Sequence, residues 1–136
     1  MKISHIAIWA EDLDGLCEFY VTYFGAIGSA KYHNPRRDFT SCFLSFESGG
    51  NESSGDGETR IEMMHIPDME APASRGNLKG LAHIAISVGS REAVDALTER
   101  LRADGHTITS EPRTTGDGYY ESVALDPEGN VVEIVA

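Results

Sequence analysis

With 136 residues, 40% hydrophobic and 24% charged, the chain has the size and balance of one globular domain able to bury a core. A formal net charge of −11, with the lysines and arginines scattered, argues against nucleic acid and anionic membrane as partners. No stretch approaches the ~20 apolar residues of a membrane span, the first apolar run is too short for a signal peptide, and Cys17 and Cys42 alone make no disulfide framework, so a reduced cytoplasmic setting is expected.

Lys2–Trp9 reads as a strand, with Ile6 and Ile8 on one face and His5, Ala7 and Trp9 on the other. A helix is expected over Leu13–Phe24, capped by Asp12, stopped by Gly25 and striped by Leu13, Leu16, Cys17, Tyr20, Val21 and Phe24. Strands follow at Ile27–His33 and Phe39–Phe46, separated by the turn NPRRD. Ser48–Thr59 is a glycine-rich polar loop, and Arg60–Ile66 is a strand. After a linker come a strand at Leu81–Val88 and a helix capped by Ser90, striped by Ala93, Val94, Leu97 and Leu101 and ending at Gly105. Strands at His106–Glu111, Tyr119–Leu125 and Val131–Val135 complete the chain, the last two joined by the turn DPEGN.

The pattern is written twice. HIAI opens at His5 and again at His83, 83 − 5 = 78 positions on. Each copy leads into an amphipathic segment that stops at glycine. The halves end on RIEMM and VVEIV, apolar runs with one central glutamate, Glu62 and Glu133, 133 − 62 = 71 positions apart. Such self-similarity decides architecture. It predicts an α+β domain of two βαβββ modules, residues 1–66 and 80–136 joined by a linker at 67–79, forming a curved sheet with a central metal cavity.

In each module one helix covers one face of its sheet. That face should carry Ile6 and Ile8, or Ile84 and Ile86, which leaves His5 and His83 on the other side. The small Ala7 and Ala85 keep volume open there. Glu62 and Glu133 alternate with apolar neighbours and point to the same open side. An unpaired carboxylate in a cavity costs several kcal/mol. One divalent metal held by His5, Glu62, His83 and Glu133 removes that cost. Two imidazoles and two carboxylates suit zinc, nickel or cobalt, then iron, manganese or magnesium.

The paired modules, opened by SHIAIW and AHIAIS, resemble the vicinal oxygen chelate superfamily, which contains glyoxalases, bleomycin-resistance proteins and extradiol dioxygenases. EPRTTGDGYYESVALDPEGNVVEIV, residues 111–135, is similar to its C-terminal signature. The resemblance carries the metal positions onto His5, Glu62, His83 and Glu133, and a full His-Glu-His-Glu set resembles glyoxalase I, the lactoylglutathione lyases. EMMHIPD, which begins at Glu62, departs from the tyrosine and Asn-Trp-Gly segment usual after that glutamate.

The resemblance implies a lyase or isomerase acting on a small substrate with adjacent oxygens, such as the hemithioacetal of methylglyoxal and a thiol cosubstrate. The metal polarises a carbonyl, an enediolate forms, and a glutamate moves the proton between neighbouring carbons. Glu133 is favoured as that base, with Glu62 second. Arg113, Tyr119, Tyr120 and Trp9 are candidate substrate contacts. His65 reads as structural or exposed, His33 and His106 as surface residues, and Cys17 as core. A homodimer is expected, with the cavity closed within one chain or by exchange between two. The competing readings are a non-catalytic small-molecule binding protein of the bleomycin-resistance type and an epimerase on the same fold.

Overall fold

A computed structural model describes residues 3–46, 59–70 and 80–136. The chain divides into two compact units, 1–70 and 71–136, each with one helix and one mixed sheet. The expected loop at 48–59 lies outside the described residues except Thr59, and so does the linker from residue 71 to 79.

In the first unit the order is β1 (Ile6–Trp9), α1 (Leu13–Phe24), β2 (Ile27–Gly28), β3 (Tyr32–Asn34), β4 (Phe39–Phe46) and β5 (Thr59–His65). The sheet runs β1-β5-β4-β2, with β3 also on β4. β1 and β5 are parallel and the other pairs antiparallel. Helix α1 occupies the expected residues. The Asp12 carboxylate accepts from the Gly15 amide at 3.0 Å, and Gly25 ends the helix at φ 64°, a left-handed conformation that costs glycine nothing.

The stripe of α1 is rotated from the expected one. Leu13, Leu16, Phe19 and Tyr20 are buried, whereas Val21 is exposed and Cys17 is only half-buried. Phe19 decides this. Its ring packs against Tyr20, Tyr23 and Phe24 at centroid distances of 5.2–5.8 Å, and aromatic area outweighs one valine.

Where one strand was expected over Ile27–His33, there are two. Partner positions sum to 72 for Gly28 and Leu44 but to 73 for Tyr32 and Ser41, so one extra residue lies between the ladders. Ser29 Oγ accepts the Phe43 amide at 2.9 Å and keeps the interruption satisfied.

The second unit follows β6 (Ile84–Ser87), α2 (Arg91–Ala103), β7 (Ile108–Thr114), β8 (Tyr120–Leu125) and β9 (Val131–Val135), with sheet order β6-β9-β8-β7. β6 and β9 are parallel. Ser90 caps α2 by accepting the Ala93 amide. β7 continues past Glu111 through Pro112 to Thr114. A proline is tolerated there because β7 is an edge strand with register shifts around that segment. In the turn after β8 the Asp126 carboxylate accepts the amides of Glu128 and Asn130, and Gly129 takes φ 78°.

The helix-facing sides of both sheets are the cores. Ile61, Met63, Leu44 and Leu16 are buried in the first unit, and Val132, Ile134, Val94 and Leu101 in the second. Thr98 also belongs to that face, which an apolar stripe did not predict. Its hydroxyl donates to the Val94 carbonyl at 2.7 Å and lies 2.6 Å from Ser122 Oγ, so both buried hydroxyls are satisfied.

Truncating Leu101 to Ala should destabilise the second unit by about 2–5 kcal/mol in urea unfolding, because a fully buried leucine leaves a cavity. Ser122→Ala should cost about 0.5–1.5 kcal/mol, since one buried hydrogen bond is lost while the Thr98 hydroxyl still donates to the Val94 carbonyl.

Candidate metal centre

His5 and His83 each stand one residue before the first strand of their unit, and Glu62 and Glu133 lie within the last strand. The parallel ladders set Ala7 beside Glu62 and Ala85 beside Glu133. Residues directly across a ladder share a face, so each glutamate looks out over an alanine. The histidine, two residues upstream of the alanine, is on the same face and reaches across it.

In the first unit His5 Nε2 lies 3.6 Å from Glu62 Oε2. In the second unit His83 Nε2 lies 3.3 Å from Glu133 Oε2. The glutamate side chains are mostly buried, 18% and 21% exposed, and the imidazoles are more open. The two units thus build the same pair at equivalent positions.

That this face is the one away from the helix follows from the contacts opposite. Cys42, paired with Met63, touches Cys17 of α1, and Ser122, paired with Ile134, touches Thr98 of α2. Glu62 and Glu133 alternate with Met63 and Ile134 and therefore point the other way.

Neither separation is that of a good direct hydrogen bond. An N···O distance of 3.6 Å is too long for a hydrogen bond, and 3.3 Å is marginal. Two ligand atoms about 2.1 Å from one ion stand roughly 3.0–3.4 Å apart at right-angled to tetrahedral geometry. The donor types suit a divalent metal, and the His83–Glu133 spacing falls within that range while the His5–Glu62 spacing lies just beyond it. Among the described residues no group of three or more His, Cys, Asp or Glu side chains could by itself hold an ion.

Around the first pair stand residues that sequence reasoning passed over. The His5 ring meets the edge of Phe43 at 5.3 Å, the Arg60 guanidinium lies over Phe43 at 5.0 Å, and Arg60 donates to Ser4 Oγ. Arg60 precedes Glu62 by two positions, so period-two alternation could have found it; the aromatic contact could not. Trp9 lies on the same side, 49% exposed, with its ring edge on Phe39 at 6.3 Å.

In the second unit Arg113 forms an ion pair with Glu121 at 3.4 Å, and Glu121 is only 12% exposed. Glu121 is two residues before Val123, which sits directly across from Glu133, so it shares the glutamate's face. It was not anticipated. Tyr119 is exposed near the end of the turn before β8. Tyr120 points to the helix side, where its hydroxyl donates to Asp95 of α2 and the Arg91 guanidinium covers its ring. The Asp95 carboxylate raises the Tyr120 pKa. His65 Nδ1 donates to the Ala10 carbonyl at 2.9 Å, a structural role, and exposed His33 bonds to Thr40.

With fold and pairs in view, comparison with known proteins places the chain in a class. Residues 2–134 match the Glyoxalase/Bleomycin resistance protein/Dioxygenase superfamily, and the chain belongs to that family. It is 29% identical over 135 residues to the lactoylglutathione lyase GLX1 of Arabidopsis thaliana, covering 98% of this chain but 44% of that protein. It is 27% identical to the uncharacterized protein YqjT of Bacillus subtilis, with 98% of each covered. Among solved structures, glyoxalase I from Zea mays superposes with TM-score 0.74 at 24% identity, over 98% of this chain and 44% of that one. A glyoxalase family protein from Enterococcus faecalis gives TM-score 0.74 at 24% identity, over 99% and 97%. The chain thus spans less than half the length of the two plant proteins.

Replacing Ala7 by Leu should obstruct the approach of His5 to Glu62 while leaving the helix-side core intact. On the proposal that this pair binds metal, uptake should fall at least tenfold, with the far-ultraviolet circular dichroism unchanged.

Proposed function

We propose that the chain is a metal-dependent lyase or isomerase of the glyoxalase I type. Its substrate would be a small molecule with adjacent oxygens, such as the hemithioacetal that a 2-oxoaldehyde forms with a thiol. The observation that carries this reading is the duplicated pair, one imidazole and one carboxylate on the face of each sheet away from its helix. Membership of the family and the likeness to the Arabidopsis lyase support it.

In this proposal His5, Glu62, His83 and Glu133 serve one divalent ion, with zinc, nickel or cobalt the best match to the donors. The two halves are supplied by one chain or exchanged across a homodimer. When bound, the ion supplies Lewis acidity toward a substrate carbonyl and so acidifies the adjacent C–H.

The protein's own part is proton transfer and orientation. Glu133 removes the proton beside the carbonyl and returns it to the neighbouring carbon, and Glu62 is the second candidate. A mostly buried carboxylate facing an imidazole is held in place for this, with few rotamers to lose. Arg113 and Trp9 bind the substrate, the first through charge and the second through its ring face. Tyr119 has the exposure to join them, whereas Tyr120 is committed to α2. The acidic chain is expected to work in the cytoplasm; among the described residues no helix is long and apolar enough to cross a membrane.

Elemental analysis of protein purified without a metal-binding tag should give about one divalent ion per site. His5→Ala and His83→Ala should each weaken uptake by more than about 100-fold, beyond the effect of losing an outer-shell partner. Absence of metal, with no uptake of added nickel, zinc or cobalt, would overturn the enzyme reading in favour of a binding protein.

Glu133→Gln should retain metal and lower kcat for hemithioacetal isomerisation by about 10²–10⁴-fold. Unchanged kcat would remove Glu133 from the base role. Arg113→Ala should raise KM about tenfold or more with kcat little altered, the mark of a contact shared by ground and transition states.

A further inference from the structure

The two cysteines lie apart from the His–Glu pair and take no part in the proposed reaction. Cys17 comes from α1 and Cys42 from β4, and their Sγ atoms are 2.8 Å apart on the helix-covered side of the first sheet. They are the only cysteines in the chain. We propose that Cys17 and Cys42 are a modification site, closing to an intramolecular disulfide that staples α1 to β4 when the protein meets hydrogen peroxide.

A disulfide bond is about 2.05 Å long, so closure needs only a sub-ångström approach of the two sulfurs. Cys17 is half-buried and Cys42 almost wholly buried, so peroxide reaches Cys17 first. The Cys17 sulfur attacks one peroxide oxygen, the O–O bond breaks, and water leaves with the sulfenic acid formed. The Cys42 sulfur then displaces the sulfenic oxygen, which departs as a second water with the Cys42 proton. Two thiols lose two electrons and one peroxide gains them.

The first step is slow by construction. Burial, the contact with Cys42 and the nearby Asp14 carboxylate push the Cys17 thiol up to about 12, and Lys31, itself paired with Asp14, opposes them only in part. Little thiolate exists near neutrality, so the pair stays reduced in a reducing compartment and closes under sustained oxidant. Position 42 precedes Phe43, whose ring abuts His5, so the staple fixes the strand that backs the imidazole. The inference does not depend on the proposed activity.

The test uses the whole chain, reduced, desalted, treated with excess hydrogen peroxide and then alkylated. Free thiols should fall from two per chain to none. The intact mass should drop by two hydrogens, and digestion should give one peptide pair joined through Cys17 and Cys42. The product should run as an uncrosslinked chain, revert with dithiothreitol, and melt several degrees higher, as expected for a staple across a loop of this size. Cys17→Ser and Cys42→Ser should each abolish the linked peptide. Persistence of both thiols, addition of oxygen without crosslinking, or disulfides between chains would each overturn the proposal. Because the reading is made on the unaltered chain, poor folding of either variant leaves it decisive.

Discussion

The parallel ladder that joins the first and last strands of each module is the constraint on which the rest depends. Parallel pairing aligns the N-terminal end of β1 with the N-terminal half of β5, so a histidine entering one strand meets a glutamate inside the other. An antiparallel pairing would reverse one strand and place the two at different heights. The same ladder in the second unit produces the same meeting of His83 and Glu133. Parallel neighbours need a long connection, and the helix that begins it also covers the opposite face. One topological choice thus supplies both the core and the His–Glu pair on the opposite face.

That division of faces separates the residues that carry stability from the His–Glu pairs. Ile61 and Met63, or Val132 and Ile134, are sealed against a helix and carry the stability. Glu62 and Glu133, between them in sequence, carry none of that packing and would be a liability without a charge partner. The alanine across each ladder is small because a larger side chain would stand between the imidazole and the carboxylate. The core and the His–Glu pairs are therefore written in alternate residues of the same few strands.

The units differ in how they support their pairs. In the first, Phe43 and Arg60 form an aromatic and cationic backing for His5. In the second, Glu121 and Arg113 form an ion pair on the same side as Glu133. The scaffold is duplicated, but the surroundings of the two pairs are not.

Much of this was legible from residues alone. The repeated HIAI, the central glutamates and the period-two alternation determined the two modules, both helices to within a residue or two, and the face on which each His and Glu stands. These are local properties: strand alternation and helix caps act within a few residues. The split of the expected strand at Ile27–His33, the passage of β7 through Pro112 and the turning of Tyr120 toward α2 were decided by tertiary structure. Each depends on a partner distant in sequence, namely the Ser29 hydroxyl on Phe43, the edge position of β7, and Asp95. The approach of His5 to Glu62 and of Cys17 to Cys42 belongs to the same category, 62 − 5 = 57 and 42 − 17 = 25 positions apart. Sequence fixes which face a side chain occupies; only the packed sheet and helix decide what it meets there.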